Sequence, residues 1–184
     1  MMNQLLEKLC ALLGAFALAF TLSGLITSYL GQIVFVKGDS MEHTLKNRDI
    51  LLVRKWGKYR RGEVVICHYP KRVERTIHIG AALTLSRNTV FVKRLVALPG
   101  DSVEILEGTL YVNDEAVADP PLMASAPRDY ARRRLGRNQY FVVGDNRFFS
   151  HDSRAMNVGP LPENMLMGHV RAVLWPLRRI QKVK

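Results

Sequence analysis

The sequence predicts a mainly β domain, a coiled antiparallel sheet of barrel-like form, behind one N-terminal transmembrane helix. Three observations predict it. From Leu9 to Val36 no charged residue occurs, and about 20 apolar residues suffice to cross the hydrocarbon core of a bilayer. Beyond residue 31 the apolar runs are short and rich in Val, Ile, Leu, Phe and Tyr. Turn signals separate them, among them Asn47-Arg48-Asp49, Arg61-Gly62, Pro99-Gly100-Asp101 and Asn113-Asp114, which is the punctuation of strands. A succession of short strands without helical patterning argues for an all-β sheet domain.

Taken in order, residues 1–8 form a polar lead in which Glu7 and Lys8 nearly cancel. The span is placed at residues 9–30 and the β domain at 31–184. The uncharged run is too long for an ordinary signal-peptide core, its leading charge is weak, and no Ala-x-Ala site ends it, so it reads as an anchor that is kept. Gly31–Val36 is β-prone and predicts the first strand. Ile50–Val53 and Glu63–Cys67 predict the next two, while residues 68–88, with Pro70 and mixed charge, read as a hairpin or loop of undefined form. Thr89–Leu98 predicts a strand, Ser102–Leu106 with Thr109–Val112 a hairpin, and Gln139–Val143 a strand that delivers Gly144. A short variable excursion occupies about 107–138, its stretch 118–138 rich in Pro, Ala and Arg. Residues 165–175 predict the last strand, and the basic tail holds no second apolar run, so one membrane pass is expected.

The 184 residues leave room for one modest domain beside the anchor. A net charge of +11 asks for an anionic partner. Its cations are scattered and lack the aromatic interleaving of a nucleic-acid surface, and each Lys or Arg near an anionic bilayer is worth about 1 kcal/mol. Membrane lipid is therefore the expected partner and nucleic acid is not. Trp56 and Tyr59, among Arg54, Lys55, Lys58, Arg60 and Arg61, suit either an interfacial patch or the cap of a core. Cys10 falls in the span and Cys67 in a strand, so they form no disulfide framework. No Cys/His cluster has metal-ligand spacing and no glycine-rich phosphate loop follows a strand. No cofactor or metal is expected.

The chemistry concentrates in three segments: Gly38-Asp39-Ser40-Met41, Phe91-Val92-Lys93-Arg94, and Gly144 to Arg154. A serine hydroxyl needs a base beside it at neutral pH, and a lysine serves if burial strips its proton. In the apolar strand around Lys93, alternation sends Lys93 and Arg94 to opposite faces, so one points inward and the other reaches solvent or an acidic partner. Arginine stays protonated, which leaves Lys93 as the only base of the two. Gly-Asp-Ser alone is a common turn and a strand lysine is often an edge charge; their joint occurrence behind an apolar anchor carries the reading. Met41 and Leu45 read as walls of a substrate cleft. His43 and His151 lie close in sequence to these segments and suggest a Ser–His alternative.

With Thr44-Leu45, Asn47–Leu51, Arg61–Val65, Leu98–Asp101, Gly144-Asp145-Asn146-Arg147, Ser150, Asp152, Ser153 and Arg154 in order behind Ser40 and around Lys93, the chain resembles the type I signal peptidases. These are membrane-bound serine proteases that remove signal peptides from exported proteins. The resemblance runs from the anchor to Trp175-Pro176 and implies Ser40 as nucleophile, Lys93 as general base and Ser150 as the hydroxyl that orients the lysine amine. It implies the Ser40 backbone N–H as an oxyanion-hole donor; some members add a serine hydroxyl two residues before the nucleophile, where this chain has Gly38. It also implies supporting salt bridges, Asp152 with Arg154 and Asp145 with Arg147. The family leaves the positions of His43 and His151 variable. The expected partners are precursor proteins bearing signal peptides, membrane lipid and the secretion machinery, with the amino terminus cytoplasmic and the catalytic domain outside the plasma membrane.

Three alternatives remain at this level. Mitochondrial inner-membrane peptidases share these boxes, although Asp145-Asn146-Arg147 and Leu110–Asn113 look more like bacterial members. LexA-like self-cleaving proteins use a similar serine and lysine but carry a DNA-binding segment in place of an anchor. A non-enzymatic, membrane-anchored basic module would need none of this chemistry.

Overall fold

A helix, α1, runs from Met2 to Tyr29 and leads into a β domain. The computed structural model describes residues 2–29, 31–69, 76–79, 83–86, 90–117 and 129–183; the prediction for 118–128 and parts of that for 68–88 lie outside them. The helix takes in the polar lead. Its stretch Leu6–Gly24 is long and apolar enough to cross a membrane, and none of it is covered by the rest of the protein. A helix apolar on every side, whose Leu6–Gly24 stretch is left unburied, suits hydrocarbon rather than water.

The strands follow in chain order: β1 (Gln32–Phe35), β2 (Ile50–Arg54), β3 (Val64–Cys67), β4 (Thr76–Ile79), β5 (Leu83–Ser86) and β6 (Phe91–Ala97). After them come β7 (Ser102–Leu106), β8 (Thr109–Val112), β9 (Glu115–Ala116), β10 (Tyr130–Arg134), β11 (Gln139–Val143), β12 (Leu161–Pro162), β13 (Leu166–Trp175) and β14 (Gln181–Lys182). The main sheet runs β1-β2-β13-β3-β6-β11-β12, with β14 on β13, and curls into a half-barrel. A smaller sheet, β10-β7-β8-β9, extends from it, and β4 pairs with β5. Every pairing is antiparallel. The predicted fold class is what the structure shows.

Alternation decides which side chains enter the core. In β2, Leu51 and Val53 are buried while Leu52 between them faces out. In β3 all four residues are buried, because this central strand is covered on both faces. The buried side chains fall into three clusters. Val34, Val36, Met41, Leu45, Leu51 and Val53 belong to the first. Val103, Ile105, Leu110 and Phe141 belong to the second, under the small sheet. Val65, Cys67, Leu95 and Val142 belong to the third.

Two elements depart from the expectation. Arg-rich 130–134 forms strand β10, paired with β7, where an irregular excursion was expected. Its arginines stay exposed, and only Tyr130 packs inward, edge-on to Phe141 at 5.1 Å. Such a charged edge strand has too little apolar alternation to be read from sequence. The basic tail also turns back, so that Gln181 and Lys182 pair with β13. Of the two aromatics left open, Trp56 is exposed beneath the Arg54 guanidinium. Tyr59 instead stacks on the buried His169 at 4.5 Å and so serves as a core cap.

Candidate active site

Ser40 sits on a loop between β1 and β2 that is closed at its base by backbone bonds. Val36 N–H donates to the Asp49 carbonyl and Arg48 N–H to the Val36 carbonyl, each at 2.9 Å. Met41 and Leu45 fasten the loop from below. They are 1% and 0% exposed and lie in the first core cluster, so they anchor the loop instead of lining an open cleft wall as expected. Gly38 has φ +95, a backbone state that side chains rarely adopt. That conformation gives the position a reason to be glycine, independent of the missing hydroxyl.

β6 delivers Lys93, which is 2% exposed and lies across from Val65 of β3. Its Nζ donates to Ser40 Oγ at 2.5 Å. Burial pushes the Lys93 amine below its ordinary value, while Asp152 pulls it back up. Burial wins, so the neutral amine becomes accessible at lower pH than for an ordinary lysine. Cys67, on the adjacent strand, is no competing nucleophile. Burial pushes its thiol up to about 12, and the Sγ–H points to the Phe91 carbonyl at 3.6 Å.

Arg94 emerges on the other face, as alternation requires, and meets Asp145. Its Nε and Nη2 donate to the two Asp145 oxygens at 2.7 and 2.8 Å. Thr44 Oγ1 adds a bond to the same carboxylate at 2.5 Å. This corrects the expected pairing of Asp145 with Arg147. β11 pairs with β6 so that Val143 faces Arg94, which puts the guanidinium nearest to Asp145 on β6.

The expected Asp152–Arg154 bridge is present. Arg154 Nε and Nη2 donate to the Asp152 oxygens at 2.8 and 2.9 Å. Asp152 also accepts from Gly144 N–H at 2.9 Å and Ser150 Oγ at 2.6 Å. Burial pushes the Asp152 carboxyl up, but the Arg154 bonds and charge, with Ser150 and Gly144, more than offset it and hold it below 3.8. Ser150 is therefore turned onto Asp152 and not onto the lysine amine, a second correction, since a carboxylate is the stronger acceptor for its hydroxyl. Ser150 still borders the site, because a Cβ added at Gly144 would collide with both Ser150 Oγ and the Ser40 carbonyl.

Asn146 and Thr44 were not assigned roles from the sequence. Asn146, 3% exposed, holds both peptides beside the nucleophile. Its Nδ2 donates to the Asp39 carbonyl at 3.2 Å and its own N–H to the Ser40 carbonyl at 3.1 Å. Their place in the Gly-Asp-Asn-Arg and Ser-Met-x-x-Thr segments was the only signal. His43 and His151 are both exposed, and Ser40 Oγ bonds to Lys93, not to either ring.

The profile of the family described as "Signal peptidase, peptidase S26" matches residues 9–175. The chain belongs to this family. Among relatives of this peptidase S26 member is the signal peptidase I of Bacillus licheniformis, 31% identical over 98% of this chain and 94% of that protein. Another is signal peptidase I T of Bacillus subtilis (strain 168), 30% identical over 92% of this chain and 87% of that protein. A crystal structure of a signal peptidase I from Enterococcus faecalis V583 superposes with a TM-score of 0.46 at 22% identity, covering 61% of this chain and 97% of that one. The S26 match spans the α1 stretch, the Ser40 loop, β6 and the Gly144–Arg154 turn, which are the segments that form the site.

Proposed function

We propose that this S26 peptidase is a membrane-bound serine endopeptidase that removes N-terminal signal peptides from exported precursor proteins through a Ser40/Lys93 dyad. The observation that carries the reading is the 2.5 Å contact between Lys93 Nζ and Ser40 Oγ, made by an amine that burial drives toward its neutral form. With Lys93 neutral, the Ser40 O–H donates to Nζ. As Oγ attacks the scissile carbonyl the proton passes to the amine, and the tetrahedral oxyanion is met by the Ser40 N–H. Lys93 then returns the proton to the leaving amine, which releases the mature chain and leaves an acyl-enzyme. Water, deprotonated by the same amine, hydrolyses the ester. An extended signal-peptide end would pair with a strand edge beside Ser40, with small side chains preferred one and three residues before the cut. Asp152–Arg154 and Asp145–Arg94 support the site structurally.

Helix α1 supplies the membrane anchor, with the amino terminus cytoplasmic and the β domain outside the plasma membrane. The Bacillus relatives favour the bacterial over the mitochondrial setting. The test uses the full chain in detergent with a precursor bearing a signal peptide, followed by mass spectrometry. Wild type should release one fragment cut at the signal-peptide end, and Ser40→Ala and Lys93→Ala should release none while keeping the β fold by circular dichroism. Cleavage by either variant would overturn the dyad.

A further inference from the structure

The Ser40 N–H is the oxyanion donor in the reaction above, yet a peptide N–H is only as well aimed as its peptide plane. The plane that carries it also carries the Asp39 carbonyl, and in a trans peptide the two point in opposite directions. Whatever holds the Asp39 oxygen therefore aims the Ser40 N–H. Two groups hold it: Glu42 N–H at 3.0 Å, across a local turn, and Asn146 Nδ2 at 3.2 Å, from the far side of the site. The local turn travels with the loop. Asn146 does not, because it stands on the turn after β11, and β11 is fixed against β6, the strand that carries Lys93. The next plane is held in the same way, by Asn146 N–H on the Ser40 carbonyl at 3.1 Å. Asn146 is itself set by its Oδ1, which accepts Phe149 N–H at 3.3 Å. Among the described residues the Ser40 N–H donates to no acceptor.

We propose that Asn146 is a positioning residue that aims the Ser40 N–H at the oxyanion by clamping the Asp39 carbonyl, and so ties the donor to the frame that holds the general base. The inference rests on the peptidase reading of Ser40 and Lys93. It makes Asn146 matter for the transition state and little for the ground state. A substrate carbonyl gains little from a well-aimed donor, whereas the tetrahedral oxyanion gains much. Because Asn146 acts through the Ser40 peptide and leaves Lys93 Nζ untouched, the titration that governs activity should stay where it is.

The test compares wild type, Asn146→Ala and Asn146→Asp in the full-length, detergent-solubilised protein on a signal-peptide substrate. Asn146→Asp keeps the shape and the Oδ acceptor for Phe149 but places an acceptor-only carboxylate against the Asp39 oxygen, so it reports even if Asn146→Ala folds poorly. Expected are a kcat lower by about 10–10²-fold, short of the 10²–10³ typical when an oxyanion donor is removed outright, and an unchanged KM. Affinity for a peptide aldehyde, which becomes a tetrahedral adduct on Ser40, should fall in step with kcat, while affinity for the corresponding cleaved peptide stays at the wild-type value. The acidic limb of the Asn146→Ala pH–rate profile should coincide with that of wild type. An undiminished kcat in both variants overturns the proposal, as does equal weakening of aldehyde and cleaved peptide, or a displaced acidic limb in Asn146→Ala. If wild type does not cleave the substrate, the peptidase reading itself has failed, a result distinct from any of these.

Discussion

Arg94 and Asp145 form a two-armed ion pair one strand position from Lys93, with Asp145 2% and Arg94 13% exposed. The pair neutralises a carboxylate that would otherwise stand buried near the amine, where among the described residues Thr44 Oγ1 also donates to it. Removing one partner of such a pair costs about 3–5 kcal/mol, because the other charge is left uncompensated. Arg94→Met should therefore lower the thermal midpoint sharply, and adding Asp145→Asn should recover most of the loss. Turnover of the double variant well below the midpoint should change little, because it leaves no uncompensated charge beside the amine. Circular dichroism melts beside a cleavage assay check both halves.

Lys93 trades stability for chemistry. Its folded pKa lies below the unfolded value of 10.5, so between the two the unfolded chain binds a proton that the folded chain does not. Stability then rises with pH across that window; the penalty is fullest below the folded pKa and gone above 10.5. Lys93→Met should abolish cleavage yet leave the fold equally stable or up to about 1–4 kcal/mol more so, by analogy with apolar replacement of buried ion pairs. Its advantage should be greatest at low pH and shrink as pH rises. A melting series from neutral to alkaline pH on both proteins decides this.

Asp152 sets where that amine titrates. Its negative charge raises the Lys93 pKa, and Arg154 lowers it. Asp152→Asn removes the first and leaves the second, so the acidic limb of the kcat/KM profile, which reports the free enzyme's base, should move to lower pH. The same substitution removes stability present above 3.8 and lost as pH falls through the depressed Asp152 pKa. The variant's melting temperature should accordingly fall at neutral pH and converge with wild type in strong acid. Ser150→Ala, which deletes only one donor to this carboxylate, should move the limb in the opposite direction and by less, because the hydroxyl dipole that partly offsets the Asp152 charge is then gone.

Gly144 leaves no room for a methyl group. A Cβ there would meet Ser150 Oγ, Ser150 Cβ and the Ser40 carbonyl, and at least one of the two serines must shift. Gly144→Ala should cost about 1–3 kcal/mol in overpacking and lower kcat by on the order of 10²-fold, the penalty for small misplacement of reacting groups. Steady-state kinetics and a melt measure the two effects separately.

Much of this was legible because the physics involved is local. A charge inside an apolar strand demands a partner or a neutral form, and since arginine stays protonated, Lys93 was the one of the pair able to act as base beside the Ser40 segment. Alternation placed Arg94 on the other face. The turn residues Asn47–Asp49, Gly62 and Gly100 marked the strand ends. Pairing across distant segments was harder. Nothing near Asp145 in the chain reveals that β11 will lie against β6, so Arg147, two residues away, looked like its partner when Arg94 is. The Ser150 hydroxyl was expected on the lysine amine and instead donates to Asp152, two residues on, whose charge attracts its proton. The clamp by Asn146 depends on where its amide meets a loop more than 100 positions earlier.

The short link between α1 and β1 works as a leash. Ser40 follows Tyr29, the last residue of the helix, by 40 − 29 = 11 positions. At 3.3–3.6 Å for each fully extended residue, that allows about 40 Å of reach at most, and β1 shortens it by fastening four of those residues to the sheet. With α1 in the bilayer, the reactive hydroxyl patrols only a thin layer above the lipid. On the proposed function, a peptide bond with ideal flanking residues but held farther out, beyond that layer, should be spared.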